Sequence, residues 1–103
     1  MIHVIATIEL ADGRRDQFLE EFRRIIPIVR DEDGCVEYGP AIDLQTSVSD
    51  PPRPSVVTVI EKWTDVPALE AHLNSAHMDK YRSLVKDIVT GFKIQVLKPA
   101  CHA

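Results

Sequence analysis

Some segments of the chain have an apolar residue at every second position, and others have one at every third or fourth position. The alternation of these two kinds of segment restricts the fold more than any other feature. An apolar residue at every second position predicts a strand, whereas steps of three and four predict an amphipathic helix. The six segments follow in the order β-α-β-β-α-β. This order is typical of a ferredoxin-like α+β protomer, a four-stranded antiparallel sheet with helices on one face. With 103 residues, the chain has room for one domain, predicted over 1–98 with a tail at 99–103.

Four segments have strand-like patterns. In the first, the even-numbered residues from Ile2 to Leu10 share an apolar face. The second strand is predicted from Cys35 to about Leu44, and Gly39 and Pro40 indicate a bulge or an edge position. A β-branched run over 56–63 predicts the third strand. The fourth is predicted from three alternating apolar residues, Phe92, Ile94 and Val96.

The first helix is predicted from apolar residues at three- and four-residue steps between Phe18 and Val29, with Asp12 as its N-cap. Pro27 lies inside this segment. A proline there removes one backbone donor, which predicts a kink or a loosened last turn. Gly34 suits the exit from the helix.

The second helical segment is predicted as two helices. The first runs from Val66 to about Leu73 and is capped by Thr64 or Asp65. Ser75 then caps the next helix, which Gly91 is predicted to end.

Composition excludes several classes of function. Twelve Lys and Arg against sixteen Asp and Glu give a net charge of -4, so the field that attracts nucleic acid is absent. The apolar runs are far shorter than the roughly 20 residues that span a membrane. The first residues lack a basic leader and a cleavage site, which predicts a cytoplasmic protein. The two cysteines, Cys35 and Cys101, are predicted to be free thiols.

Both faces of the predicted sheet carry apolar side chains. Ile5 and Ile60 have the opposite parity to the core residues of their strands. A second copy that covers this face is the economical solution, so we expect a homodimer. The proline-rich loop Gln45–Ser55 folds either over the mouth of a pocket or away from it, and the sequence leaves both open.

Two stretches of the sequence carry a family resemblance, GCVEYGPAIDL over 34–44 and VTVIEKWTDVPALEAHLNSAHMDKYRSLV over 57–85. Their most specific residues are Gly34, Cys35, Tyr38, Glu61, Trp63, His72, Ser75, His77 and Tyr81. In these residues the chain resembles the antibiotic biosynthesis monooxygenase (ABM) family of dimeric α/β barrels. The resemblance implies a dimer formed by sheet-to-sheet packing, with a small-molecule pocket between the sheet and the helices. Some members oxidise phenols or quinols with O2 and no cofactor, some degrade haem, and others isomerise small phosphorylated sugars.

The branches of the family differ at their pocket residues. Relative to the cofactor-free oxygenases, Trp63 matches the pocket tryptophan, and Arg82 matches an arginine in a loose alignment. The asparagine and tyrosine of that branch fall at Val59 and Leu69. The three haem-branch residues, an asparagine, a tryptophan and an axial histidine, fall at Thr7, His72 and Arg82. Haem degradation is therefore disfavoured.

Two residues are predicted to be catalytic. Glu61 shares strand parity with Trp63 and is expected to point into the pocket beneath the helix that carries His72. A carboxylate beside an imidazole fixes its tautomer and raises its basicity, which suits removal of a phenolic or enolic proton. The alternative is a buried carboxyl satisfied by backbone or solvent, with His72 filling space.

The predicted substrate-binding residues surround this pair. They are Trp63, Tyr81, His77, Tyr38, Phe22 and Arg82. Trp63 offers an aromatic face or serves as a core anchor, and His77 and Tyr81 either line the pocket together or pack in the core. No third ligand is evident beside His72 and His77, so no metal site is predicted.

Three functions remain open at this point. The first is a cofactor-independent monooxygenase in which His72, oriented by Glu61, deprotonates a small phenolic or quinol-type compound that then reacts with O2. The second is a dimeric ligand-binding or stress-associated module without turnover. The third is an enol-type isomerase of a small carbonyl compound, which needs the same base and no O2.

Overall fold

A computed structural model describes residues 1–101 and contains four strands and three helices. In chain order they are β1 (Ile2–Leu10), α1 (Arg15–Arg30), β2 (Cys35–Ala41), β3 (Val56–Trp63), α2 (Val66–Leu73), α3 (Ala76–Val85) and β4 (Val89–Leu97). The strands form one antiparallel sheet in the order β2-β3-β1-β4. The predicted ferredoxin-like α+β fold, with its second helical segment in two parts, is confirmed. The dimeric barrel and the domain boundaries at 98 and 99 stay predictions.

The register of the sheet places one row of residues beneath the helices. Val4 of β1 pairs with Glu61 of β3 and with Val96 of β4, and Glu61 pairs with Tyr38 of β2. Side chains of directly paired residues project from the same face of a sheet. The two-residue period that buries Val4 therefore also directs Glu61 and Tyr38 towards the helices, and all three are buried.

Helix α1 packs on this face with Phe18, Phe22, Ile25 and Val29 buried. The predicted N-cap at Asp12 is wrong, because a turn at Gly13 (φ +75°) intervenes and the helix begins at Arg15. The Asp12 carboxylate instead accepts a hydrogen bond from Ser55 Oγ at 3.3 Å. Pro27 does not end the helix, which continues to Arg30.

Strand β2 is an edge strand, which confirms the edge alternative predicted from Gly39 and Pro40. Both of these residues are paired with β3, and the register shift lies earlier, between Cys35 and Glu37. The predicted extension to Leu44 is wrong, since the strand ends at Ala41 and Leu44 is 75% exposed. Cys35 is half-buried, Cys101 is exposed, and both are free thiols.

The caps of α2 and α3 follow the sequence pattern. Asp65 accepts from the backbone N–H of Ala68 at 2.9 Å, and Ser75 accepts from that of Met78 at 3.4 Å. The predicted role of Gly91 is wrong, because it lies within β4. Gly91 pairs with Glu9 of β1 where the register of the two strands shifts, a place in a strand at which glycine is common.

Apolar side chains remain uncovered on both sheet faces. Phe92, Ile94 and Val96 of β4 face the helix side but are 38–58% exposed, and Ile60 on the opposite face is 40% exposed. The predicted homodimer stays a prediction that these residues support. No helix within residues 1–101 is long and apolar enough to cross a membrane.

Candidate active site

A cavity of about 380 Å³ lies between the helix-facing side of the sheet and helices α1 to α3. This volume is within the range of small-molecule sites, and such sites combine apolar walls with a few polar groups. The strands contribute Ala6, Ile8, Tyr38, Val59, Glu61, Val89, Phe92 and Ile94. The helices and the residue after α3 contribute Phe18, Phe22, His72, Leu73, Met78, Tyr81, Arg82, Val85 and Lys86. No residue of the loop Gln45–Ser55 is among the lining residues, so this loop folds away from the cavity.

Glu61 is one of the two buried polar residues at the cavity, with 6% of its surface exposed. Its Oε1 accepts a hydrogen bond from Nε1 of Trp63 at 2.9 Å. The pKa of Glu61 is raised to about 7, mainly by burial and to a smaller extent by the charge of Glu32, while the Trp63 hydrogen bond lowers it. The carboxyl group therefore exchanges a proton near neutral pH.

Trp63 stands behind the cavity. The side chain is fully buried, and its ring packs against the His72 ring with centroids 4.7 Å apart. Of the two alternatives for Trp63, the structure favours the core anchor, because His72 covers its ring and Glu61 accepts from its N–H group. Its parity with Glu61 is as predicted, and the indole fixes the position of both polar groups.

His72 is the second buried polar residue at the cavity, with 1% of its surface exposed. Its Nδ1 lies 2.8 Å from Oε2 of Glu32. A carboxylate only accepts hydrogen bonds, so in the neutral imidazole Nδ1 carries the proton and Nε2 keeps a free lone pair. Burial lowers the pKa of His72, although the Glu32 hydrogen bond and charge oppose this. The ring is thus held as a neutral base.

The predicted orienting group for His72 is wrong. Glu61 is hydrogen-bonded to Trp63, and the carboxylate on His72 is that of Glu32, forty residues away in the chain. Glu32 belongs to the turn that follows α1, which the sequence identified only as a helix exit. In the sequence, Gly34 was the available indication that this turn packs closely on another element. In the structure its φ is +82°, and an added Cβ would lie 2.5 Å from the Ala68 Cβ. This close approach brings the turn against α2.

His77 lies outside the cavity, on the other side of the Glu32 carboxylate. Its Nε2 is 3.1 Å from Oε2 of Glu32 and 3.2 Å from Ser75 Oγ. The predicted pocket position of His77 beside Tyr81 is wrong, because the short α3 begins at Ala76 and its first turn directs this histidine towards Glu32.

An aromatic cluster adjoins the polar pair, since Tyr38 meets the His72 ring edge-on with centroids 5.4 Å apart. Phe22 stacks on Tyr38 with ring centroids 5.4 Å apart, and Tyr81 meets Phe22 edge-on at 5.8 Å. Burial raises the pKa of both tyrosines, which keeps them neutral. The Tyr81 hydroxyl is buried, and residues 1–101 offer it no hydrogen-bond partner. Tyr81 also lines the cavity, but its hydroxyl oxygen is covered by protein atoms.

Arg82 lies at the rim of the cavity. One Nη donates to the carbonyl oxygen of Leu73 at 2.7 Å and the other to the Asp79 carboxylate at 3.0 Å. The guanidinium therefore satisfies the C-terminal end of α2 and supplies a positive charge beside the cavity.

The sequence model of the family described as antibiotic biosynthesis monooxygenase matches residues 1–84. A relative from Escherichia coli (strain K12), named "Probable quinol monooxygenase YgiN", is 37% identical over 102 residues, which cover 96% of this chain and 98% of the relative. The chain belongs to the antibiotic biosynthesis monooxygenase family. The resemblance inferred from the sequence motifs is confirmed.

Two solved structures share the fold of this chain. PA3566 from Pseudomonas aeruginosa is 27% identical, with a TM-score of 0.81 over 97% of this chain and 94% of that one. Rv0793 from Mycobacterium tuberculosis is 24% identical, with a TM-score of 0.80 over 99% and 97% of the two chains. The second likeness shows a shared fold alone.

In this ABM family member, the cavity brings together most of the side chains predicted to form the site. Phe22, Tyr38, Glu61, His72, Tyr81 and Arg82 all line it. Trp63 and His77 do not, and Glu32 is the residue that sequence reasoning missed. An imidazole with a fixed tautomer, a carboxyl group with a pKa near neutrality and a buried phenol are groups capable of proton transfer, and they meet here in an apolar enclosure.

Proposed function

We propose that this protein is a cofactor-independent monooxygenase that oxidises a small phenolic or quinol-type aromatic compound with O2. The observation that carries the proposal is His72, whose Nδ1 is bound to Glu32 while Nε2 stays free beside an apolar cavity. The aromatic wall of Phe22, Tyr38 and Tyr81 suits a flat ring. The relationship to YgiN supports the quinol-type substrate.

The reaction begins when His72 Nε2 removes the proton of a substrate hydroxyl. The anion passes one electron to O2, and the resulting radical and superoxide combine to form a carbon–oxygen bond at a ring carbon that carries hydrogen. His72 returns its proton to the peroxide. Loss of the C–H proton and cleavage of the O–O bond then release water and leave a quinone. One oxygen atom of O2 enters the product, the other leaves as water, and the substrate supplies all four electrons.

Each site residue has a part in this scheme. Glu32 holds the His72 tautomer, and Glu61 is placed to exchange the C–H proton or the proton of the leaving oxygen. We assign the unpaired Tyr81 hydroxyl to a substrate oxygen, which it meets once a shift of the neighbouring side chains opens it to the cavity. The apolar walls limit water, which otherwise diverts the peroxide and superoxide into side reactions.

The test is O2 uptake by the purified protein with a panel of quinols and hydroxylated aromatics, combined with labelling by isotopic O2. We expect saturable uptake, one labelled oxygen in the quinone, and little hydrogen peroxide. His72→Gln should reduce uptake at least about tenfold, or 1.4 kcal/mol of barrier. His3→Gln, on the opposite face of the sheet, is the matched control and should leave it unchanged. Uptake that yields unlabelled product and peroxide would mean autoxidation and refute the proposal.

An enol-type isomerase is the second candidate, and Glu61 favours it. A carboxyl group with a pKa of about 7 beside a fixed imidazole is a pair that can move a proton between two carbons without O2. Anaerobic deuterium exchange next to the carbonyl of a small ketone or aldehyde, lost in His72→Gln, would support this candidate over the oxygenase. Saturable binding without either reaction would identify a ligand-binding module.

A further inference from the structure

Three metal-ligating side chains meet on the side of His72 that faces away from the cavity. Oε2 of Glu32, Nδ1 of His72 and Nε2 of His77 all lie within 4.8 Å of one another. They come from the turn after α1, from α2 and from the first turn of α3. One carboxylate and two imidazoles form a ligand set that zinc accepts.

Two of the three distances between these atoms are close to those that a small cation requires. Zinc bonds of about 2.0–2.1 Å in tetrahedral geometry place neighbouring ligand atoms about 3.3 Å apart. Here the Glu32 oxygen lies 2.8 Å from the His72 nitrogen and 3.1 Å from the His77 nitrogen. Both separations need to widen by a few tenths of an ångström when a cation replaces the bridging protons. The two histidine nitrogens, which lie within 4.8 Å of each other, have to come to the same spacing.

The exposure of the three side chains provides a route of entry. His72 is 1% exposed, whereas the side chains of Glu32 and His77 are 17% and 27% exposed. A cation can therefore reach the cluster from the solvent at His77, where water completes its coordination. Ser75 Oγ, 3.2 Å from the His77 nitrogen, offers a neighbouring polar group.

We propose that Glu32, His72 and His77 form a site for a divalent cation of the zinc type. Coordination through Nδ1 of His72 would leave the imidazole proton on Nε2, because a neutral ring keeps one N–H group. The same imidazole then no longer accepts a proton in the cavity. Occupancy of the site therefore switches off the general base, and this consequence, unlike the site itself, rests on the proposed function.

Binding is measured with zinc chloride and a chromogenic zinc chelator as competitor, using the full chain without a tag. We expect one equivalent of zinc on the wild type, and an affinity at least about tenfold weaker in His77→Asn and in Glu32→Gln. His3→Asn and Cys101→Ser are controls that remove potential ligands outside the cluster, and they should bind as the wild type does. Circular dichroism melts without zinc identify any variant that fails to fold. An affinity that is unchanged in His77→Asn, or lost in Cys101→Ser, would overturn the site.

Two further measurements use the wild type alone and do not depend on folded variants. Cobalt(II) should give the intense visible absorption of a tetrahedral site. Long-range 1H–15N spectra of the imidazoles should show the proton of His72 moving from Nδ1 to Nε2 on zinc addition, and a tautomer that does not change would overturn the assignment.

Zinc that binds at the cluster without reducing O2 uptake would refute the role of His72 as base while the site stands. Uptake that needs His72 in a protein that binds no zinc would refute the site while the function stands.

Discussion

Nδ1 of His72 lies 2.8 Å from Oε2 of Glu32, and the two residues are forty positions apart in the chain. Three elements have to be in place for this contact: α2 carries the imidazole, Gly34 allows the turn after α1 to approach, and Trp63 supports the ring from below. The contact decides which nitrogen of His72 is free to accept a proton. Glu32 is therefore a positioning residue for the proposed reaction.

Replacing Glu32 should impair catalysis through the tautomer of His72. In Glu32→Gln the amide can turn its N–H group towards Nδ1, which favours the tautomer with the proton on Nε2. We expect kcat to fall at least about tenfold with a smaller change in KM. Glu32→Asp should recover part of the loss, whereas a purely structural role would give equal losses in kcat for both variants. Steady-state O2 uptake over a range of pH is the measurement.

The Tyr81 hydroxyl should contribute to ligand binding and not to the stability of the free protein. It is buried without a partner among residues 1–101, and an unpaired buried hydroxyl destabilises a fold by about 1–3 kcal/mol. Tyr81→Phe should therefore leave the free energy of unfolding unchanged or raise it by about 1 kcal/mol, while KM for a phenolic substrate rises severalfold. Urea denaturation and O2 uptake check the two parts. A variant that loses stability without a change in KM would show that the hydroxyl is satisfied within the free protein.

Glu61 should make the protein less stable as the pH rises. Its pKa is raised from the ordinary 4.5 to about 7, so between these values the folded state binds more protons than the unfolded state. The free energy of unfolding then falls with increasing pH across this window, by at most roughly 3 kcal/mol. Glu61→Gln keeps an oxygen for the Trp63 N–H group and should remove most of this slope. Denaturation curves between pH 4.5 and 8 check it, and an unchanged slope in the variant would assign the effect to other groups.

Local patterns predicted the elements of this fold better than they predicted the contacts of its site. The bounds of β3 and the cap at Ser75 depend on side chains within a few positions of each other, so the sequence determined both. Gly91 was misjudged because glycine is common both after helices and beside register shifts in strands, and only the pairing of β4 with β1 distinguishes the two. Glu32 was missed because its contact with His72 depends on how the turn packs on α2, and no spacing in the chain encodes that.

Gly34 should be essential for both stability and the site. At φ +82°, any other residue is strained, and an added Cβ would lie 2.5 Å from Ala68 Cβ and 2.7 Å from Thr64 Oγ1. We expect Gly34→Ala to lower the free energy of unfolding by about 3 kcal/mol and to weaken catalysis by displacing Glu32. Gly13→Ala is a matched control, with φ +75° and no atom within 4 Å of the added Cβ, and should lose only about 1 kcal/mol. Equal losses in the two variants would mean that the approach to α2 is not tight.

The predicted homodimer should depend on the face of the sheet that lies opposite the helices. Ile60 projects from the centre of that face and is 40% exposed, and it pairs with Ile5 of β1. Ile60→Asp places a charge where a second sheet would pack, and burial of an isoleucine side chain is worth about 1.5–3 kcal/mol, so the dimer should dissociate at least about tenfold more readily. Leu84→Asp is the control, because Leu84 is 57% exposed but lies on α3 in the helical layer. Sedimentation equilibrium distinguishes the outcomes: dissociation in the Ile60 variant alone supports packing of sheet on sheet, and dissociation only in the Leu84 variant would place the interface on the helices.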